Sequence, residues 1–246
     1  LGVLSHLENS AAFAAQWWPT VTRWAEYLAA KGFDPDNQLC TDDFARHLAH
    51  NANLSIKAIM GLACYGKMAA LNGDTATAER FTELTKTMVP QWIKAAGGGR
   101  GGAYRLAFDQ PDTWSMKYNL VWDRLLGFNL FPAEVAQTET AFYRTALQKY
   151  GLPLDSRKLW TKADWQVWAA MLTPQGKYLA DFLIVPESDG LLIDVDARLA
   201  DDLMRRLSMY KLRADVQIAA TDLAVTRGTG PAPAGAISDP RHPALG

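Results

Sequence analysis

Two cysteines, Cys40 and Cys64, are the whole thiol inventory of this sequence. Two thiols build no disulfide framework, and no metal-ligand spacing surrounds them, so both read as small buried hydrophobes. An excess of one charge is also missing: 25 Lys and Arg stand against 26 Asp and Glu, for a formal net charge of −1. That removes the electrostatic reason to expect nucleic acid or an anionic membrane as a partner, and neither is expected. No stretch approaches the ~20 apolar residues of a membrane span. There is no nucleophile elbow, zinc-protease helix motif, phosphate loop or dinucleotide fingerprint, and no cofactor is expected. The chain starts with Leu and lacks a basic-then-apolar leader. It reads as a processed or truncated piece, and the missing signal peptide leaves its compartment open.

What is present is an ordinary globular composition. The 246 residues are 49% hydrophobic and 21% charged, enough for one large domain or two small ones. Nine Trp is a high count; such side chains can line sugar or amino-acid pockets, but mostly they fill cores. Apolar periodicity predicts a helix over 10–31, with Trp17, Val21, Trp24 and Leu28 on one stripe and Pro19 marking a kink or the true start. A mostly apolar helix follows over 52–72. Asp74 caps the next helix, whose stripe is Phe81, Leu84, Met88 and Trp92, and Gly97–Gly102 ends it. Residues 115–128 and 132–148 read as helices, and Thr161 with Asp164 resembles a capping box opening another. Helical hairpins of this length suggest a repeat or toroid. Near Ala170 the pattern changes. Residues 178–185 and 191–196 read as strands around a hairpin-favouring Asp-Gly, 197–210 as a helix and 213–219 as a third strand. Residues 228–246 form a Gly/Pro-rich tail.

Three polar segments carry candidate chemistry. The densest runs from Cys40 to Ser55 and holds Asp42, Asp43, His47, His50, Asn51 and Asn53 between two apolar helices. If that stretch is helical, Asp43, His47 and His50 fall at i, i+4 and i+7 on one face. A carboxylate beside an imidazole works as a general base with an orienting partner. The same three can ligate a metal, although the spacing matches no standard ligand pattern and no metal is assigned. Helix capping by Asp42 or Asp43 is the structural alternative. The second segment contains Trp114, Lys117 and Asn119, which suit a small polar ligand or an amphipathic helix entry. The third contains Asp155, Arg157, Asp164 and Trp165. Arg157 can pair with a substrate carboxylate, or with Asp155 in a loop.

DPDNQLCTDDFARHLAHNANLSIKAIMG (34–61), TWSMKYNLVWDRLLGFNLFP (113–132) and YGLPLDSRKLWTKADWQVW (150–168) together resemble, in order, the glutaminase A family. The resemblance implies a six-helical-hairpin (α/α) toroid, hydrolysis of the side-chain amide of L-glutamine to glutamate and ammonia, and an extracellular or periplasmic setting; a cytoplasmic one stays open. It supports the positions Asp42, Asp43, His47 and His50 as catalytic. Residue type suggests Asp43 or Asp42 as base, His47 or His50 as its partner and Arg157 as holder of the substrate carboxylate. Arg46 departs from the family string, which has glycine there. The family's domain is expected to begin before Leu1. Its V-P-x-S-D-W closing segment has only an echo at Val185–Asp189, with Gly190 for Trp.

Residues 172–185, 191–218 and 239–246 resemble a second family, the YgfZ-type folate-binding, aminomethyltransferase-like proteins, without its K-G-C-Y-x-G-Q motif. The expectation is therefore a mainly α chain: a partial toroid of helical hairpins over 1–170, a small α+β segment over 171–227 and the tail, joined at a seam near Ala170 that suggests a chimera. The leading function is a glutaminase-like amide hydrolase acting on a small molecule. A glycosidase-like toroid acting on a sugar, a folate-binding fragment and a non-catalytic helical-repeat module remain alternatives. Exposed hairpin flanks also suggest self-association.

Overall fold

The computed structural model describes residues 1–40, 46–172, 182–186, 190–195, 197–210 and 217–223. The chain divides into two compact units, Leu1–Lys177 and Tyr178–Gly246.

The first unit is helical. Short helices α1 (Gly2–Glu8) and α2 (Ala12–Ala15) lead into α3 (Trp18–Lys31). Pro19 sits in the first turn of α3, so it starts the helix rather than kinking it. Of the expected stripe, Val21 and Leu28 pack on the core, while Trp18 and Ala25 take the places expected of Trp17 and Trp24. Val21 and Ala25 are buried, while Trp17 (57%), Trp24 (59%) and Tyr27 (62%) are exposed. Trp18 is the tryptophan that packs inward, stacking on Tyr65 with ring centroids 5.0 Å apart.

Helix α4 (Ala52–Leu71) and helix α5 (Thr75–Ala96) form a hairpin around the turn at Gly73. By length and composition alone α4 could cross a membrane, which corrects the expectation of no such stretch. Its apolarity has a local cause, because it packs against α1, α3 and α5 and buries Ile56, Ile59, Leu62 and Tyr65. Asp74 caps α5 by accepting from the Thr77 amide at 3.1 Å. Phe81, Met88 and Trp92 are buried along α5, with Leu84 partly so. A Cβ on Gly66 would lie 3.3 Å from Phe81 Cβ, so the absent side chain lets the two helices close up. The Trp92 indole donates to the Ala52 carbonyl at 2.8 Å, tying the end of α5 to the start of α4.

Beyond α5 the chain is less helical than its pattern predicts. The expected helix over 115–128 shrinks to a 3-10 turn at Tyr118–Leu120 and α6 (Val121–Leu125). Two backbone bonds hold the preceding residues extended: Met116 N to Leu154 O at 2.7 Å and Ser156 N to Trp114 O at 2.9 Å. Asp123 accepts from the Leu130 and Phe131 amides, both at 2.9 Å, and so shapes the turn toward α7 (Ala133–Ala146). Pro132 is the residue before α7 rather than inside it. The expected capping box of α8 (Ala163–Ala170) does not form. Lys162 is the N-cap, Thr161 Oγ1 donates to Leu152 O, and Asp164 accepts from the adjacent Trp165 amide.

In the second unit, β3 (Phe182–Pro186) pairs antiparallel with β4 (Leu191–Val195), Phe182 opposite Val195 and Pro186 opposite Leu191. Helix α9 (Ala197–Tyr210) follows. Of the expected third strand, residues 213–216 lie outside the described residues and 217–219 are irregular, as the tail 228–246 lies outside them altogether.

Candidate functional site

The polar loop before α4 is built as a two-rung hairpin, not a helix. Strand β1 (Gln38–Leu39) pairs antiparallel with β2 (His47–Leu48), so His47 and His50 are not on a helix face. Asp42 and Asp43 lie outside the described residues. His47 is exposed on β2.

Two residues flanking that strand carry left-handed backbone. Arg46 has φ 61° and His50 φ 58°, both unusual for residues with a side chain. At Arg46, where the resemblance leads to an expectation of glycine, the backbone is of the kind that glycine accepts without strain. His50 is held on both sides: its amide donates to Pro35 O at 2.8 Å and its carbonyl accepts from Phe108 N at 2.9 Å. Its Nδ1 lies 2.7 Å from Asp34 Oδ1. The side chains are 43% and 53% exposed. The Asp34 hydrogen bond, then its charge and those of Asp109 and Asp36, raise the His50 pKa above 6.5. Sequence reasoning missed Asp34. Its only signal was an acidic residue opening the same family-like stretch.

Asn51 is the N-cap of α4, its side chain accepting from Leu54 N at 2.9 Å. Asn53 accepts from Asn119 N at 3.3 Å through its side chain, and its carbonyl accepts from Asn119 Nδ2 at 3.0 Å. All three asparagines are buried, so they join α4 to the 118–120 turn from inside. Lys117 is fully buried. Its Nζ donates to Tyr104 O (3.0 Å), Ser115 O (2.9 Å) and Ser115 Oγ (3.0 Å), with Glu139 Oε2 at 4.0 Å. These three bonds exhaust the donors of an ammonium. Trp114 is buried edge-on to Phe142 at 5.1 Å.

Asp155 is buried and closed onto Arg157, accepting from its Nε (3.0 Å), Nη2 (2.6 Å) and backbone amide (2.8 Å). That bonding, chiefly, raises the Arg157 pKa. The Cys40 thiol donates to Arg46 O (3.4 Å) and Leu48 O (3.8 Å), and the charges of Arg157 and Asp155 also act on it, so the structure brings the 40–48 and 155–157 segments near one another. Burial pushes the Cys40 thiol up, and that of Cys64 to about 11, which keeps both protonated and unreactive. Asp164 is exposed and pairs with Lys162 at 3.3 Å. Trp165 stacks on Tyr118 at 4.3 Å, and Lys162 Nζ sits 4.9 Å from its ring centre. Tyr118 therefore occupies one face of that indole.

Fold and site together define a helical-hairpin scaffold with a short polar hairpin and an exposed His–Asp pair at the start of its buried helix. The chain matches the Glutaminase A six helical-hairpin domain over residues 3–184 and belongs to that family. Two curated proteins are similar to it. Glutaminase A of Aspergillus oryzae is 33% identical over 165 residues, covering 66% of this chain and 24% of that protein. A protein of Arthroderma benhamiae named "Probable glutaminase" is 33% identical over 172 residues, covering 58% and 20%. The chain thus spans about a quarter or less of the length of the curated relatives it matches. No solved structure matches it significantly. The family match continues past Ala170 to residue 184, through part of the stretch that resembled the YgfZ-type family, and that second resemblance gains no support.

Proposed function

We propose that the chain supplies the helical-hairpin part of an enzyme that hydrolyses the side-chain amide of L-glutamine to glutamate and ammonia. The observation that carries this reading is the family match over residues 3–184, with two relatives whose printed names say glutaminase. The geometry agrees with it in one respect. An imidazole oriented by a carboxylate stands in water at the edge of a rigid core, where amide hydrolysis needs a group to activate water. An extracellular or periplasmic setting accompanies the proposal, and fractionation of cells that produce the protein tests it. Ammonia release from L-glutamine by the purified chain tests the activity itself, with L-asparagine and aryl glycosides in parallel. Ammonia from glutamine alone supports the reading. Release of sugar without ammonia replaces it with a glycosidase.

A further inference from the structure

His50 and Asp34 form a solvent-accessible imidazole–carboxylate dyad. Three independent features mark it. First, His50 holds φ 58°, a conformation that costs a side-chain-bearing residue free energy and persists only where its surroundings fix it. The surroundings do so: Pro35 O and Phe108 N bond the two sides of its peptide frame. Secondly, Asn51, the next residue, is the N-cap of the buried helix α4, so the imidazole is anchored one residue from a well-packed element. Thirdly, Asp34 Oδ1 meets Nδ1 at 2.7 Å. A carboxylate accepts, so Nδ1 carries the proton, and Nε2 of the neutral ring holds the lone pair. The ring is 43% exposed, so water reaches it.

We propose that His50 Nε2 is the general base of the amide hydrolysis and that Asp34, not Asp42 or Asp43, is its positioning residue. The inference rests on the glutaminase reading above. Nε2 takes a proton from water as the water oxygen bonds to the amide carbon of glutamine. The tetrahedral intermediate then collapses with cleavage of the C–N bond, and the imidazolium returns its proton to the departing nitrogen. Glutamate and ammonia leave, and neutral His50 is regenerated. Asp34 stabilises the imidazolium formed in between and keeps the ring in one tautomer, the role a buried carboxylate plays in other hydrolases. The charges of Asp34, Asp109 and Asp36 all favour the ring's protonated form, against a smaller opposing effect of burial. Activity therefore rises with pH through a His50 pKa above 6.5.

The test combines nitrogen-15 NMR of the histidine rings with ammonia release from L-glutamine between about pH 5 and pH 9, a span centred on imidazole titration. The parent, Asp34→Asn, His50→Gln and, as control, His6→Gln are compared. The NMR titration should show His50 protonated on Nδ1 when neutral, with a pKa that falls in Asp34→Asn. His50→Gln should lower kcat by about 100-fold or more, the usual contribution of a general base. Asp34→Asn should lower kcat less and move the acidic limb of the profile down by the same amount as the NMR pKa, with KM unchanged. His6→Gln should leave all of this as in the parent. An active parent whose His50→Gln variant stays active overturns the base assignment and leaves the glutaminase reading intact. A His50 pKa and tautomer unmoved by Asp34→Asn overturn Asp34's part. A folded parent that releases no ammonia at any pH overturns the glutaminase reading, and the base assignment with it.

Discussion

Lys117 shows what a single buried charge does here. Its ammonium is fully enclosed, and Glu139 beside it is equally so. Glu139 accepts from Tyr104 N at 2.7 Å and from the Tyr143 hydroxyl at 2.5 Å, while that hydroxyl accepts from Lys117 N at 2.6 Å. Burial lowers the Lys117 pKa and raises that of Glu139, and their mutual attraction opposes both shifts. A closed network of this kind leaves an uncompensated charge when one member goes. Glu139→Leu should destabilise the fold by about 3–5 kcal/mol in urea denaturation, and Lys117→Met with Glu139→Leu together by less than Glu139→Leu alone. A Glu139→Leu loss under 1 kcal/mol, well below that range, would show the pair to be a minor support. Arg46 is the opposite case, a cost rather than a support. Its φ of 61° is relieved by glycine, so Arg46→Gly should stabilise the chain by about 1 kcal/mol, less whatever the glycine adds to unfolded-state entropy. A drop in the denaturation midpoint on that substitution would mean that the arginine side chain makes a compensating contact.

At the scale of elements, the α4–α5 hairpin carries the first unit. Trp92 is wholly buried, packs against Tyr104 and Phe131, and spends its only donor on Ala52 O. Trp92→Phe should therefore cost more than lost volume, because the indole bond to the Ala52 carbonyl, a second bond beside the helical one, is lost where α4 begins. A loss of about 2–4 kcal/mol is expected from the cavity plus the lost indole hydrogen bond, read from chemical denaturation. Asn51→Ala should cost about 1 kcal/mol through the cap alone, and Asn51→Asp much less. This hairpin was the part most legible in the sequence: the Asp74 cap, the apolar run of α4 and the Phe81–Trp92 stripe each follow from local periodicity. The misread elements are those where distant residues decide. Residues 115–117 look helical alone but are held extended by 154–156, about 40 positions on. Val21 and Leu28 of the expected α3 stripe pack on the core, but Trp17 and Trp24 were misplaced there because tryptophan was weighted as a core residue, whereas Trp18 and Ala25 take those places. In the site, the histidine was legible as a polar residue between apolar helices. Its carboxylate partner was not, because Asp34 meets His50 only through a loop that no periodicity describes.

At the scale of the whole molecule, both buried apolar clusters among the described residues lie within the first unit, from Ala11 to Leu172. All nine tryptophans fall at or before Trp168 as well. Indole fluorescence therefore reports the helical unit alone, whereas the far-ultraviolet signal also contains α9. The hydrophobic effect scales with apolar area buried, and this unit contains an apolar core of its own. A chain shortened to residues 1–177 should consequently unfold in a single cooperative fluorescence transition in urea. Its Tyr118, Trp122, Trp165 and Trp168 rings, stacked or edge-on within 4.3 to 6.1 Å of one another, should keep a fixed-environment near-ultraviolet circular dichroism signal. The same shortened chain retains His50 and Asp34, so the histidine titration can be repeated on it. If its fluorescence transition is broad and the near-ultraviolet signal is lost, the helical core needs residues beyond 177 to set its packing, and the family's hairpin domain is then not an independent folding unit at this length.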